Sequence, residues 1–393
     1  MVTSAKSAAD SKPSLLQLFL SFLRLGSTAF GGPAMVAYIR TLAVERKQWL
    51  DDETFQKGIA LCQSIPGATA MQMAAYTGFK CRRGLGAVSS FVGFGLPAFT
   101  MMLVLSALYV KGHDFPIVVS IFKGLQAIIV AIVANAVLSF AKTSLKDWKD
   151  PIIVVIAAFL FWMKVNPVIV ILLSALIGLI AHRKRGYQRM PASQEANRFP
   201  IRGFVLTLLG IAAVCVFLLI AGDRRLFQLA ILMLRIDLFA FGGGFAALPI
   251  MYHEVVNVRS WVDAPTFLNG IALGQVTPGP IVITATFVGY LVHGVSGAIV
   301  STLSIFLPSL LLVIVVTPYF DKFQASPHFN RAIAGIFASF VGLLLTVALR
   351  FGLDIPWNVP AVLLAVAAFA ALLLKVEIIW VVLVGIVLSA ILF

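Results

Sequence analysis

Trp49 to Gly67 reads W-L-D-D-E-T-F-Q-K-G-I-A-L-C-Q-S-I-P-G, and Trp261 to Gly279 reads W-V-D-A-P-T-F-L-N-G-I-A-L-G-Q-V-T-P-G. Eleven positions (Trp, Asp, Thr, Phe, Gly, Ile, Ala, Leu, Gln, Pro, Gly) coincide in order, 212 residues apart. Working outward, R-L-G-S-T-A-F-G-G from Arg24 to Gly32 matches R-I-D-L-F-A-F-G-G from Arg235 to Gly243. Gly78 with Gly289, Gly86 with Gly297 and Pro97 with Pro308 keep the register at 211. Ordered coincidence at offsets of 211–212 marks an internal repeat, so the chain is two copies of one unit.

The medium around those units follows from composition. Of 393 residues 60% are hydrophobic and 12% charged, with a mean hydropathy of +1.00. Soluble domains carry about 25% charged residues, which excludes a water-soluble protein. Thirteen apolar runs alternate with charged joints: 15–39, 54–79, 84–110, 116–141, 151–164, 166–181, 203–222, 226–250, 265–291, 294–319, 332–350, 355–374 and 376–393. Most are close to the ~20 residues that cross a bilayer as a helix. The net charge of +14 sits between the runs and reads as a topology signal, not as a nucleic-acid surface. Residues 1–13 lack the pattern of a signal peptide, and nothing is expected to be removed. Cys62, Cys81 and Cys215 form no close pair, so neither a disulfide framework nor a metal site is expected.

Six runs fall in each copy and 203–222 is left over. One extra crossing between even-numbered units turns the second unit over. With the amino terminus inside, the inner joints collect eighteen Lys and Arg and the outer joints nine. The joint at Lys80, Arg82 and Arg83 is basic, whereas its counterpart at 291–296 has no Lys or Arg. The expected fold is an all-α polytopic membrane protein of two inverted-topology repeats with broken helices and a linking transmembrane helix. The expected divisions are 1–182, a basic loop and linking helix over 183–225, and 226–393. The carboxyl terminus is expected outside and the amino terminus in the cytoplasm.

Each unit breaks its helices twice. Phe30-Gly31-Gly32-Pro33 and Phe241-Gly242-Gly243-Gly244 form one pair of breaks, and Ile65-Pro66-Gly67 and Thr277-Pro278-Gly279-Pro280 the other. Unwound backbone at membrane depth needs protein or a hydrated cavity to satisfy it, and paired discontinuous helices in inverted repeats point to a transport site. Four half-helix N-termini near the bilayer centre favour an anion. The competing reading is close packing at the glycines and simple kinks at the prolines.

These strings resemble the chromate ion transporter family. F-G-G-P at Phe30, P-G-x-x-A-M-Q-x-A-x-Y-x-G from Pro66 to Gly78, F-G-G-G at Phe241 and G-Q-x-T-P-G-P from Gly274 to Pro280 look like its paired signatures, and the likeness covers nearly the whole chain. Where the family's first motif continues P-G-P, this chain has Ala68. The resemblance implies an inner-membrane carrier that exports chromate and confers chromate resistance; some relatives handle sulfate.

A tetrahedral dianion needs hydrogen-bond donors and positive charge without a reactive group. Arg24 and Arg235 each lie seven residues before a double glycine, and an arginine within a membrane run is costly enough to suggest function; snorkelling or pairing with an acid is the alternative. Asp237, opposite Gly26, reads as the charge partner of Arg235 or as an asymmetric proton site. Gln63, Gln72 and Gln275, with Thr69, Thr277 and Thr284, could complete a cage for oxygens or serve as helix-to-helix glue. Asp51 and Asp263 are spaced to cap helices at Thr54 and Thr266. His253 and Glu254 read as a solvated loop end or a proton relay.

No phosphate loop, zinc pair or nucleophile motif is present, so neither an enzyme nor an ATP-driven pump is expected, and no cofactor. The expected partners are a chromate-like or sulfate-like oxyanion, lipid and possible further copies of the chain. A different oxyanion or an anion channel is the alternative function.

Overall fold

The computed structural model describes residues 13–30, 34–183, 223–320 and 325–393. The linking run at 203–222 lies outside the described residues, as do Gly31, Gly32 and Pro33. Fourteen α-helices and no strand occur among the described residues. In the first unit they are α1 (Leu15–Gly26), α2 (Ala34–Arg40), α3 (Asp52–Ser64), α4 (Thr69–Gly112), α5 (Pro116–Ser144), α6 (Asp150–Trp162) and α7 (Pro167–Ala181). The second unit repeats them as α8 (Arg224–Phe239), α9 (Gly244–Tyr252), α10 (Ala264–Val276), α11 (Thr284–Val316), α12 (Pro327–Asp354), α13 (Val359–Leu373) and α14 (Ile378–Leu392). Even a π-helical turn recurs, Thr41–Arg46 after α2 and His253–Val258 after α9.

Short polar residues start these helices as the sequence suggests. The Asp51 carboxylate accepts from the Thr54 N–H at 2.7 Å and Asp263 from Thr266 at 2.8 Å, each satisfying an orphan donor of the first turn. Asn166 and Asn358 cap α7 and α13 in the same way.

Helix α4 reverses direction within its assigned length. The Ser90 hydroxyl donates to the Ala74 carbonyl at 2.7 Å, although sixteen residues of straight helix would span about 24 Å. The turn is at Arg82 and Arg83, where Arg83 has φ +56°. In α11 the turn is at His293 and Gly294, and Ser301 donates to the Ala285 carbonyl at 2.6 Å. The duplicated glycines are explained here: a Cβ on Gly78 or Gly86 would come within 2.1 Å of the other's carbonyl oxygen, so only glycine lets the two arms touch.

The broken runs do not cross; they re-enter. The Tyr76 hydroxyl donates to the Thr54 carbonyl at 3.0 Å across the Pro66–Gly67 break, so α3 and the first arm of α4 are antiparallel. Gly270 lies against the Phe287 ring in the matching hairpin. Helix α1 starts beside the α4 turn, where Arg82 donates to the Pro13 carbonyl at 2.9 Å, and runs along the second arm past Ser89 to Phe94. From the break, α2 and its π-helical turn lead back to that face, where Arg40 meets Asp52 at 2.7 Å. Helices of 12 and 13 residues such as α1 and α3 are about 18–20 Å long, well short of a ~30 Å hydrocarbon core. Among the described residues the long apolar helices are α4, α5, α11 with its leading turn, and α12.

The inversion can be read from helix directions. Helices α6 and α7 start and finish on one face, where Lys149 reaches the Ala181 carbonyl and Asp150 meets His182 at 2.9 Å. Residue numbers rise together along α6 and α12: Thr346 donates to the Ala158 carbonyl and Arg350 to those of Phe161 and Trp162. So α12 starts at the face where α5 ends, and the two equivalent helices run oppositely. The units also exchange partners. Helix α12 packs on α6 and α7 of the first unit, and α5 on α13 and α14 of the second. Phe91 and Phe306 meet edge to face across the units, with centroids 6.3 Å apart.

Candidate functional site

The tips of the re-entrant hairpins cross at the centre, each bound to the other unit. The Gly67 N–H donates to the Ala240 carbonyl at 2.9 Å, and the Gly279 N–H donates to the Ala29 carbonyl at 2.9 Å. Both glycines have left-handed backbone, φ +121° and +103°, as do Gly242 at +96° and Gly243 at +95°. Glycine adopts these angles without Cβ strain, which is why the breaks carry it. The first unit's Pro66-Gly67 turn thus meets the Ala240-Phe241-Gly242 turn, and the second unit's Pro278-Gly279 turn meets Ala29.

Around the crossing, among the described residues, three helices begin without a side-chain cap. Ala68 precedes α4, Gly243 precedes α9, and Pro280 precedes the short 3₁₀ turn Ile281–Ile283 that opens α11. Their first-turn N–H groups are the donors that suit an anion. Gly243 lies against the Thr69 side chain, and Gly244 against Val282 and Ile281, so the start of α9 touches both proline breaks.

The polar side chains divide into three groups. Gln72 turns back and donates to the Pro66 carbonyl at 2.5 Å, while Thr277 and Thr284 donate to the Gly274 and Ile281 carbonyls. These residues stiffen the breaks. Gln275 is 9% exposed, its amide nitrogen without a partner among the described residues, whereas its counterpart Gln63 is exposed on α3. A cage that used both glutamines alike does not form.

Asp237 is fully buried, and it does not pair with Arg235 as expected. Residues two apart on a helix point to opposite sides. One Asp237 oxygen instead accepts from the Ser309 hydroxyl at 2.8 Å and the Ser309 N–H at 2.9 Å. Ser309 Oγ in turn accepts from the Ala68 N–H at 3.0 Å, so the chain Asp237–Ser309–Ala68 ties the second unit to the first unit's tip. The other Asp237 oxygen has no partner among the described residues. Sequence reasoning missed Ser309. The first unit has Ala98 there and Gly26 in place of Asp237, so two polar replacements in one copy signalled that the pair meets.

The arginines differ. Arg24 is exposed, with no ion-pair partner among the described residues. Arg235 donates to Asn166 Oδ1 at 3.0 Å and lies 3.6 Å from Glu254, whose other oxygen takes Arg259. Glu254 is therefore not at a solvated loop end: it is 4% exposed. His253 points elsewhere, into a narrow cavity with Tyr252, Phe161 and Arg350.

The chromate transporter family model matches residues 16–179 and 227–390, once in each unit. The chain belongs to the chromate transporter family. It is 42% identical to an uncharacterized transporter of Methanocaldococcus jannaschii over 96% of this chain and 94% of the relative. It is 32% identical to a chromate transport protein of Cupriavidus metallidurans over 94% of this chain and 91% of that one. An uncharacterized transporter of Bacillus subtilis matches 39% of this chain with 80% of its own length, at 32% identity, about the span of one unit. No solved structure matches the chain.

Proposed function

We propose that the protein is a secondary carrier that exports chromate across the cytoplasmic membrane, driven by the membrane potential, and thereby confers chromate resistance. The observation that carries this reading is the reciprocal crossing of two re-entrant tips, with uncapped helix N-termini around it and, in each unit, an arginine five residues before the alanine that the other unit's tip bonds. Such a site offers N–H donors and positive charge to a tetrahedral oxyanion and needs no reactive group. The name of the Cupriavidus relative supports chromate as that oxyanion.

The re-entrant topology also supports an amino terminus in the cytoplasm and a carboxyl terminus outside. It moves Arg40, Arg46, Lys47 and Lys57 to the inner face and Arg259 to the outer, turning a bias of eighteen to nine into twenty-one to six. Short inner loops are enriched in this way. The repeat boundaries 1–182, 183–225 and 226–393 fit the same scheme.

A dianion leaving a negative interior gains about 4.6 kcal/mol per 100 mV, so uniport needs no ATP. The test is chromate flux in proteoliposomes under a valinomycin-imposed potential, with sulfate as competitor. Flux that follows the potential, with accelerated counterflow, fits a uniporting carrier. Flux that responds only to a pH gradient rejects uniport, and absence of counterflow acceleration favours a channel.

A further inference from the structure

The two arginines that precede the crossing alanines, Arg24 and Arg235, are equivalent in sequence but not in surroundings. Arg235 faces Glu254, which is buried against Arg259 as well. Arg24 takes part in no ion pair among the described residues. The π-helical turns show where the difference arises. The Lys47 N–H closes on the Leu42 carbonyl as the Arg259 N–H closes on that of Glu254, and Trp49 N–H bonds Ala43 as Trp261 bonds Val255. Leu42 therefore occupies in the first unit the place that Glu254 holds in the second, and Lys47 the place of Arg259.

A carboxylate and an oxyanion present guanidinium with the same thing, negatively charged oxygens that only accept. Resting on the reading of the chain as an oxyanion carrier, we propose that Glu254 is a tethered competitor for Arg235. It neutralises the outer approach when substrate leaves and makes that side the low-affinity, releasing side. The inner approach has leucine at the matching position, so Arg24 is left to capture the anion. Asn166, at the start of α7, holds the Arg235 fork toward Glu254 with its 3.0 Å bond. Unlike a structural ion pair, this arrangement acts on one side of the membrane only.

The test uses the full chain in proteoliposomes and reads chromate affinity on each face: the internal KM for export, and the external chromate concentration that half-inhibits it. Glu254→Gln lowers the external constant severalfold and moves the internal one much less, because the pair is 3.6 Å apart with Glu254 buried and Arg235 37% exposed, between a surface pair and a buried one. Leu42→Glu, which gives the first unit the same carboxylate, raises the internal KM and leaves the external constant in place. Glu254→Asp keeps the charge at shorter reach and falls between wild type and Glu254→Gln, which preserves the test if the glutamine variant does not fold. Flux with an unmoved external constant in both Glu254 variants overturns the tethered competitor. No chromate flux in the wild type counts instead against the carrier reading itself.

Discussion

The crossing of the tips makes Gly67 an exacting position, both in backbone and in space. Its φ is +121°, and a Cβ there would lie 2.1 Å from Ser309 Oγ and 2.6 Å from Gln72 Nε2. A non-glycine residue in such a backbone region costs about 1–3 kcal/mol, and overpacking of a filled site costs about as much again. Gly67→Ala is thus expected to cost about 2–6 kcal/mol, and to push Ser309 off Asp237 and Ala68. Gly84 is the control: a Cβ there meets nothing within 4 Å, and its φ is outside the left-handed region, so Gly84→Ala stays within about 0.5 kcal/mol. The assay is unfolding in detergent together with chromate flux in proteoliposomes. Gly67→Ala is expected to unfold at lower temperature and transport poorly, and adding Ser309→Ala restores part of the loss by removing the nearest atom. A Gly67→Ala protein as stable and active as wild type, or equal losses for Gly84→Ala, would refute the crossing described here.

Arg24→Ala and Arg235→Ala are each expected to lower transport with insertion intact, and the lysine variants to lose less, since lysine keeps charge without the planar fork; normal flux and affinity in both alanine variants would leave the arginines structural. Asp51→Ala is expected to cost about 1 kcal/mol. Bonds from the Thr54 N–H and hydroxyl hold the Asp51 carboxyl below the usual carboxylate range. Its contribution is therefore full above the unfolded value of about 3.9 and lost as pH falls through the lower folded value, so the gap between wild type and variant closes on acidification. Impermeant thiol reagents should label single cysteines at 48 and 83 from one face and at 260 and 296 from the other, in a background lacking native cysteines. Labelling of 48 and 83 from opposite faces would mean that the first broken run crosses.

What the sequence made legible was whatever had been duplicated. The Trp49 and Trp261 stretches, the glycine breaks and the Asp51 and Asp263 caps could be read because each copy vouches for the other. Re-entrance could not be read. An apolar run of 25 residues with a break at its middle has the same composition whether its second half continues or turns back, and only contacts such as Tyr76 to Thr54 decide. The pairing of Arg235 with Glu254 was hidden for the related reason that the two sit on different helices, whereas the nearby Asp237 lies on the wrong side of its own helix. Ser309 was available in principle: lining up the copies shows Asp237 over Gly26 and Ser309 over Ala98, and the structure joins those two differences.

The differences between the copies bear on direction as the similarities bear on architecture. If the units were identical, the inward-open and outward-open forms would be related by symmetry, and the empty carrier would face each side equally with equal affinity. Asp237, Ser309 and Glu254 all lie in the second unit, and each makes a bond that the first unit cannot make at Gly26, Ala98 or Leu42. Affinities on the two faces are linked to the conformational equilibrium, because the cycle of binding, reorientation and release must close. On the proposed reading, a tenfold weaker outer site requires the empty carrier to favour its outward form over the loaded one by the same factor, about 1.4 kcal/mol. The Glu254 bridge to Arg235 fits that requirement, because it satisfies the arginine only when no oxyanion is there to do so. Weak external binding and a stabilised empty outward form are then two measurements of one interaction, and Glu254→Gln must change both together.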